Sequence, residues 1–196
     1  MINRKKGTET ERSGKKPGSG ISREKAAGKG RADGKKTGRI RKALVRDVKE
    51  VHSLINEFAA EQEMLPRSLN ELYEHLRDMF VYEEDGRLKG VCSLHVVWED
   101  LAEVRSLAVA RRARGRGIGR SLVETCLEEA RGLGVSRVFA LTYIPEFFGL
   151  FGFKVVDKSE LPHKIWGDCI RCPKFPDCNE FAVVRELLTG EDSYGA

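Results

Sequence analysis

The stretch from Glu103 to Arg131 places a strand pattern, a glycine-rich turn and a helix pattern in direct succession. Apolar residues at Val104, Leu107 and Val109 indicate an extended segment with one break in its alternation. Beyond the turn, apolar residues recur at helical spacing: Leu122, Val123, Cys126, Leu127 and Ala130. Gly132 is typical of a helix end. A strand that leads into a helix in this way predicts a layered fold that contains both sheet and helix.

The turn between strand and helix predicts an anion-binding site. Its glycines, Gly115, Gly117 and Gly119, carry no side chain that would keep a ligand from the main chain. The free N–H groups of the first helical turn and the positive end of the helix dipole favour a phosphate group there. Positive charge surrounds this position, from Arg112, Arg114, Arg116 and Arg120. The alternative interpretation is an ordinary basic loop between a strand and a helix.

The spacing of these residues disfavours two common nucleotide-binding loops. A Walker-type loop requires a lysine after its glycines, and Gly119 is followed by Arg120. A dinucleotide-binding fingerprint requires an acidic residue at the end of the next strand. That strand, predicted from Ser136 to Leu141, ends without one.

Charge divides the 196-residue chain into two parts. Residues 1–39 hold 13 Lys/Arg against 4 Asp/Glu, a balance of +9, whereas the remainder holds 22 against 26, a balance of −4. The first part is rich in glycine and lysine with almost nothing apolar to bury, so we predict a disordered tail. It is either a solvated extension or a nucleic-acid-binding arm, although no aromatic residues are interleaved for base stacking.

The same composition bears on location. No apolar run approaches the roughly 20 residues that a membrane span needs, and no signal-peptide core is present. Five cysteines without a secretory signal indicate a reducing compartment, and we expect the protein in the cytoplasm.

Residues 40–188 predict a strand, two helices, three antiparallel strands and a strand–helix–strand unit. Asp47 and Ser68 each begin a capping-box pattern that predicts the start of a helix. Asp85–Gly86 predicts a tight hairpin turn. This order predicts an α/β fold with a mixed sheet and helices on both of its faces, followed by a short tail at 189–196.

Two motifs in this order resemble the GNAT superfamily of N-acetyltransferases. The run Arg114-Gly115-Arg116-Gly117-Ile118-Gly119 matches its Arg/Gln-x-x-Gly-x-Gly/Ala signature, and Phe147–Phe153 matches its aromatic helix that closes in Gly-Phe. The resemblance implies the acyl-CoA N-acyltransferase fold, a mostly antiparallel central sheet with splayed strands flanked by helices. It also implies acetyl-CoA as co-substrate. The cofactor-binding residues would be Leu107, Ala108, Val109, Arg114, Gly115, Arg116, Gly117, Ile118, Gly119 and Arg120.

Acetyl transfer to an amine requires a proton acceptor, a stabilised oxyanion and a departing thiolate. By the resemblance, a main-chain N–H of the Leu107–Val109 segment, near a bulge, stabilises the oxyanion. Glu103 lies where the superfamily places a carboxylate base; equally, it is a strand-edge residue paired with Arg105. Phe148 occupies the position at which many relatives have a tyrosine acid, so Tyr143 is the remaining candidate acid.

A cysteine-rich loop at 161–180 carries Cys169, Cys172 and Cys178, with His163 upstream. These side chains are candidate Cys₃His ligands for a structural zinc ion, although their spacing departs from the usual paired knuckles. The alternatives are a loop with reduced, packed cysteines or a Cys172–Cys178 disulfide.

The loop also narrows the resemblance. Leu-Pro-His-Lys-Ile-Trp at 161–166 and the Asp-Cys-x2-Cys-Pro pattern after it resemble the short bacterial N-acetylglutamate synthases. This similarity implies L-glutamate as acceptor and the first step of arginine biosynthesis, with Arg105 and Lys164 as cations for the acceptor carboxylates. The alternatives are another small amine or a peptide N-terminus as acceptor, or a non-catalytic acyl-CoA sensor. A homodimer is a further candidate assembly.

Overall fold

The computed structural model describes residues 38–161, 174 and 177–187. Its strands are β1 Arg39–Lys42, β2 Met79–Glu84, β3 Arg87–Val96, β4 Leu101–Val109, β5 Arg137–Thr142, β6 Lys154–Val156 and β7 Phe181–Glu186. Its helices are α1 Val48–Ala60, α2 Leu69–Glu74, α3 Ile118–Gly132 and α4 Pro145–Gly149. Four 3₁₀ turns connect them, at Val45–Asp47, Leu76–Asp78, Arg111–Ala113 and Lys158–Glu160.

The described strands form one sheet in the order β1-β2-β3-β4-β5-β7-β6. All neighbouring pairs are antiparallel except β4 and β5, which are parallel and are connected through α3. The predicted mixed, mostly antiparallel sheet is therefore confirmed. The parallel pair lies in the middle of the sheet.

Apolar residues cover both faces of this sheet. On one face α3 and α4 pack against the sheet through a cluster that includes Leu122, Val104 and Phe148. On the other face α1 and α2 pack through a cluster that includes Ile55 and Val91. Leu122 is fully buried, and burial of one such side chain contributes roughly 1.5–3 kcal/mol. The period of about 3.6 in the α3 sequence thus marks the face that anchors this helix to the sheet.

Two of the local sequence signals have the predicted structure. Asp85 and Gly86 both have positive φ, 53° and 71°, as a two-residue hairpin turn of the primed type requires. At the start of α2, the Ser68 hydroxyl accepts a hydrogen bond from the Glu71 N–H, and the Glu71 carboxylate accepts one from the Ser68 N–H. This reciprocal pair is the capping box that the sequence predicts.

The capping box predicted at Asp47 is wrong, although α1 does begin at the next residue. Asp47 lies at the end of a 3₁₀ turn, where its carboxylate accepts the Leu44 N–H at 2.7 Å and the Arg41 guanidinium. Glu50 instead accepts the Leu88 N–H across the fold. The Asp47 carboxylate is therefore bound by the Arg41 guanidinium and the Leu44 N–H instead of by the N–H groups of α1, and the capping pattern alone does not reveal this.

A search of the described residues for membrane spans identifies no helix whose length and apolar content suffice to cross a bilayer.

Candidate active site

A bulge in β4 organises the site. Val91 pairs with Ala108 and Ser93 with Arg105, so two steps along β3 correspond to three steps along β4. The additional residue lies in the Ser106–Leu107 segment, and Ser106 has a φ of 55°. A bulge breaks the ladder and turns main-chain groups away from their partners. The predicted oxyanion segment, Leu107–Val109, begins inside it.

The bulge also changes which side chains face which helix. Before it, Ala102 and Val104 pack in the α3 cluster, whereas Ala108 after it packs in the α1 cluster. Without the additional residue, these three even-numbered side chains would share one face of the strand. Glu103 and Arg105 consequently point to the α1 and α2 side of the sheet.

A cleft opens where β4 and β5 part. The two strands pair over Leu101–Glu103 and Arg137–Phe139, and beyond these residues their described parts no longer pair. The cleft has a volume of about 920 Å³. Its walls include β4 from Glu103 onward, the α3 amino end, the segment after α1, and the residues that follow β5. This is the splayed arrangement that the sequence resemblance implies.

One end of the cleft is the amino end of α3. Gly115 and Gly117 both have positive φ, 76° and 79°, and Gly117 is the residue at which the helix is capped. The N–H groups of Ile118, Gly119 and Arg120 lie in the first helical turn and have no carbonyl acceptor within the helix. Helix geometry therefore leaves them directed outward. Gly119 lines the cleft, and a Cβ there would lie 3.6 Å from Phe147 and Val109. Main-chain donors and an uncrowded approach thus meet at this mouth.

The arginines of the loop take part in ion pairs. Arg111 pairs with Glu61 and Glu63, Arg114 with Glu63 at 3.0 Å, and Arg120 with Glu124 at 2.9 Å. These side chains are at least 40% exposed, and exposed pairs contribute at most about 1 kcal/mol. An incoming diphosphate can therefore exchange for the glutamates at low cost, and Arg114 and Arg120 line the cleft.

Arg116 was predicted to bind the cofactor, but its side chain lies outside the cleft. Its guanidinium makes two hydrogen bonds to Glu84, whose side chain is only 2% exposed, and it lies outside the cleft lining. A buried carboxylate is stable as an anion only when it is paired, so Arg116 is committed to the β2–β3 hairpin. Every other predicted cofactor-binding residue lines the cleft: Leu107, Ala108, Val109, Arg114, Gly115, Gly117, Ile118, Gly119 and Arg120.

Charged side chains converge at the other end of the cleft. Glu103 and Arg105 both line it, and the Arg105 Nη1 lies 3.7 Å from the Glu103 Oε2. Their side chains are 17% and 12% exposed, so the pair is largely withdrawn from water. The two interpretations of Glu103 are therefore compatible, because the residue is paired with Arg105 and is also part of the cleft wall.

Two further candidate residues of the cleft, Arg67 and Glu180, were not predicted from the sequence. Arg67 lines the cleft; its main chain is held by Asn56, and its guanidinium lies 3.4 Å from Glu71. The Ser68 capping box was the available signal, since it fixes the chain immediately after Arg67. Glu180 also lines the cleft, and burial raises its pKa, with nearby Lys174 and the Cys178 thiol opposing that rise.

Tyr143 lies in the cleft wall directly after β5. The Lys174 ammonium donates a hydrogen bond to its hydroxyl oxygen and lies 4.4 Å from its ring centre. This contact raises the pKa of Lys174. Because the ammonium occupies an acceptor position of the hydroxyl, the phenolic proton remains available for donation. Phe148 is buried and packs edge-to-face against Phe153.

The remaining predicted residues fall mostly outside the described part of the chain. Lys164, His163, Cys169 and Cys172 lie there, so their predicted roles stay predictions. Cys178 is described, with its thiol 3.8 Å from Glu180. The zinc site therefore remains a hypothesis from the sequence.

Comparison with known proteins identifies the class. Residues 45–149 match the model of the Acetyltransferase (GNAT) family. An uncharacterised N-acetyltransferase of Chlorobaculum tepidum is 40% identical over 148 residues, which cover 76% of this chain and 96% of the relative. The chain belongs to the GNAT acetyltransferase family and is an acetyl-CoA-dependent N-acetyltransferase.

Two similar proteins have a named activity. An amino-acid acetyltransferase of Mycobacterium tuberculosis is 33% identical over 135 residues, covering 67% of this chain and 77% of the relative. The structure of N-acetylglutamate synthase from Neisseria gonorrhoeae, complexed with coenzyme A and N-acetyl-glutamate, superposes with a TM-score of 0.71 at 30% identity. That match covers 78% of this chain and 36% of the Neisseria chain, which is therefore much longer.

Proposed function

We propose that the protein is an amino-acid N-acetyltransferase that transfers the acetyl group of acetyl-CoA to the α-amine of L-glutamate. One observation carries the proposal: a single cleft is lined by the amino end of α3, by the Glu103 carboxylate and by two arginines, Arg105 and Arg67. The names and bound ligands of the relatives support it, since they include amino-acid acetyltransferases and a synthase bound to N-acetyl-glutamate.

The acceptor carboxylates bind to Arg105 and Arg67. Both residues line the cleft. A guanidinium presents two parallel N–H donors to a carboxylate, which gives orientation as well as affinity. A dicarboxylate uses both arginines, and this requirement favours glutamate over monocarboxylate amino acids. Lys164 is a third candidate cation from the sequence.

The reaction proceeds by direct attack of the amine on the thioester carbonyl. Glu103, directly or through a water molecule, takes a proton from the substrate ammonium, and the free amine forms the new C–N bond. A main-chain N–H of the Leu107–Val109 segment stabilises the oxyanion that develops. Collapse of the tetrahedral intermediate breaks the C–S bond, Tyr143 supplies a proton to the thiolate, and the amide nitrogen loses its second proton to solvent.

In the cell, this reaction would be the first step of arginine biosynthesis, in the cytoplasm.

The direct test follows CoA thiol release by the purified full chain with acetyl-CoA and a panel of amino acids and short peptides. Release with L-glutamate well above all others is the expected result. Preference for aspartate, another amine or a peptide N-terminus would replace the acceptor while keeping the enzyme. Saturable CoA binding without release for any amine would favour a non-catalytic sensor and contradict the proposal.

A variant pair sharpens the acceptor assignment. Arg67→Gln should raise the KM for glutamate by roughly 10–100-fold, because a charge-assisted hydrogen bond contributes about 1.5–3 kcal/mol. Its KM for acetyl-CoA should stay unchanged. Arg77→Gln, in the 3₁₀ turn before β2 and outside the cleft lining, is the matched control and should leave both constants unchanged.

A further inference from the structure

Two imidazoles and a carboxylate converge at a position separate from the cleft lining. The Asp78 Oδ2 lies 2.8 Å from the His95 Nδ1 and 3.4 Å from the His75 Nδ1. One potential ligand atom from each residue lies within 4.8 Å of the others. The two rings stand edge-to-face with their centres 4.8 Å apart. All three side chains are partly buried, between 25% and 40% exposed.

The local structure explains why these residues meet. His75 and Asp78 flank the 3₁₀ turn Leu76–Asp78, and side chains three residues apart lie on the same side of such a turn. Strand β2 begins at the next residue, Met79, which pairs with Ser93 of β3. His95 lies two residues further along β3, on the same face as Ser93, and its Nδ1 is within hydrogen-bond distance of the Asp78 carboxylate. The hairpin register and the turn together fix the cluster.

We propose that His75, Asp78 and His95 form a binding site for a divalent transition-metal ion, with Zn²⁺ as the first ion to test. Two imidazole nitrogens and one carboxylate oxygen suit zinc, cobalt, nickel and iron(II), whereas calcium and magnesium prefer ligands made of oxygen alone. Tetrahedral zinc with bonds of about 2.0–2.1 Å holds neighbouring ligand atoms about 3.3 Å apart. The observed 2.8 and 3.4 Å lie close to that spacing, and three protein ligands leave a fourth position open.

Metal ligation requires two neutral imidazoles and an ionised carboxylate, so an ion at this cluster competes with protons for the same three side chains.

Some of the surrounding charges repel a bound divalent cation, and others attract it. Arg105 is near enough to act electrostatically on His75 and Asp78, and it opposes a positive ion. Glu74 acts with the opposite sign on His75, and the Glu103 carboxylate lies 3.7 Å from Arg105. His95 pairs directly with Glu103 across β3 and β4, so the site shares a sheet face with the acceptor end of the cleft.

The competing interpretation is a hydrogen-bonded triad in which Asp78 accepts from both imidazoles without any metal. Cobalt(II) distinguishes the two, since its visible d–d absorption is weak in the aqueous ion and becomes shifted and much more intense when protein ligands hold it in a four- or five-coordinate site. The full chain, stripped with a chelator and then freed of it, is titrated with Co²⁺, and Zn²⁺ affinity is measured by competition with a chromophoric chelator. One equivalent of cobalt with nitrogen and oxygen coordination, without thiolate charge-transfer absorption, is expected.

Four variants locate the ion. His75→Ala and Asp78→Asn should each weaken Zn²⁺ binding by more than the roughly 10–100-fold that loss of an outer-shell partner costs. His52→Ala, on α1, should bind like the wild type, as should Cys172→Ser in the cysteine-rich loop. Asp78→Asn preserves size and hydrogen bonding, so it decides the question if thermal melting shows that His75→Ala is misfolded. Absence of the cobalt signal in the wild type overturns the site. Unchanged affinity in Asp78→Asn, or a signal lost only in Cys172→Ser, does the same.

Discussion

At the scale of single residues, Glu103 and Arg105 form an ion pair with each other and also line the cleft. They alternate with Ala102 and Val104 along β4, so the apolar side chains enter the α3 core and the charged ones face the cleft. An ion pair with side chains less than 20% exposed is held more firmly than a surface pair. In the proposed mechanism, Arg105 thereby keeps the Glu103 carboxylate in place for a substrate amine.

Glu103→Gln should lower kcat by roughly 100-fold near neutral pH, the lower range for loss of a general base. The deficit should grow as the pH falls, because without a base the rate follows the free-amine fraction, which drops about tenfold per pH unit. Steady-state rates measured from pH 6 to 10 provide the test, with the KM for acetyl-CoA expected to remain constant. Glu99→Gln, in the exposed turn before β4, is the control. A Glu103→Gln profile parallel to that of wild type would remove Glu103 from proton transfer.

Sequence reasoning reached Glu103, Arg105 and Tyr143 but not Arg67 or Glu180, and the reason is physical. The first three lie on or beside strands whose pattern and motif could be read locally. Arg67 and Glu180 enter the cleft from a loop and from the start of β7, which pairs with β5. Their position depends on long-range contacts that leave no periodic trace. The buried Glu84 likewise redirected the Arg116 side chain from a distance of 32 residues along the chain.

At the scale of elements, we propose that the glycine-rich loop and α3 form a main-chain anion site, which would depend on the positive φ of Gly115 and Gly117 and on the absence of a side chain at Gly119. The order and type of the elements followed from patterns of apolar residues and from turn chemistry. The exact ends of the elements followed less well; for example, β1 ends at Lys42, shortly before the 3₁₀ turn whose Asp47 is bound by Arg41 of that strand. Tertiary contacts set such boundaries.

Gly119→Ala should separate folding from cofactor binding. Alanine in a helix is more favourable than glycine by up to about 1 kcal/mol, and the new Cβ meets only ordinary contacts at 3.6 Å. The melting temperature should therefore stay equal or rise by roughly 2–4 °C. CoA affinity should fall about tenfold or more, because the methyl group crowds the donors at the helix mouth.

Gly132→Ala at the far end of the same helix, where a Cβ meets nothing within 4 Å, is the matched control. It should change the melting temperature in the same direction without altering CoA affinity in calorimetric titration. Equal affinity in the two variants would mean that the α3 mouth does not contact the cofactor.

Asp47→Asn tests the pairing that replaced the predicted helix cap. The Arg41 hydrogen bond holds the pKa of Asp47 below its ordinary value, even though burial opposes this. The resulting stability is present above the ordinary aspartate pKa of about 3.9 and is lost as the pH falls further. The variant should lose about 2 kcal/mol at pH 7, a decrease in melting temperature of roughly 4–8 °C, and the difference should shrink toward pH 3.

The exposed Arg39 provides the comparison for this prediction. Arg39 lies in the same strand as Arg41, its side chain is 69% exposed, and it pairs at 3.2 Å with Glu83 of the neighbouring strand β2. Arg39→Gln should cost less than about 0.5 kcal/mol. A loss in Asp47→Asn that is no larger than in Arg39→Gln, or that persists unchanged at pH 3, would contradict the assigned role of the Arg41 pair.

At the scale of the whole molecule, charge and fold are separated along the chain. The positive balance belongs to residues 1–39, whereas the remainder carries a balance of −4 and contains the cleft. An anionic cofactor therefore depends on the local positive charge at the α3 mouth rather than on the net charge of the protein.

Removal of residues 1–37 should leave kcat/KM for acetyl-CoA within about twofold, because phosphate binding is local to the α3 mouth. Any retention of duplex DNA at low salt should disappear with the same truncation, and should weaken steeply with added salt in the full chain. A large loss of turnover on truncation would give the basic segment a part in catalysis.

The most direct test of the cleft is a calorimetric titration of the full chain with CoA beside one with 4′-phosphopantetheine and one with pantetheine, which keep the thiol arm but lack the diphosphate and the phosphorylated adenosine. If the amide hydrogens of the α3 mouth hold the diphosphate, CoA should bind at one per chain and pantetheine at least about 100-fold more weakly, the loss of two charge-assisted hydrogen bonds or more. No heat with CoA, or equal affinity for CoA and pantetheine, would contradict the account.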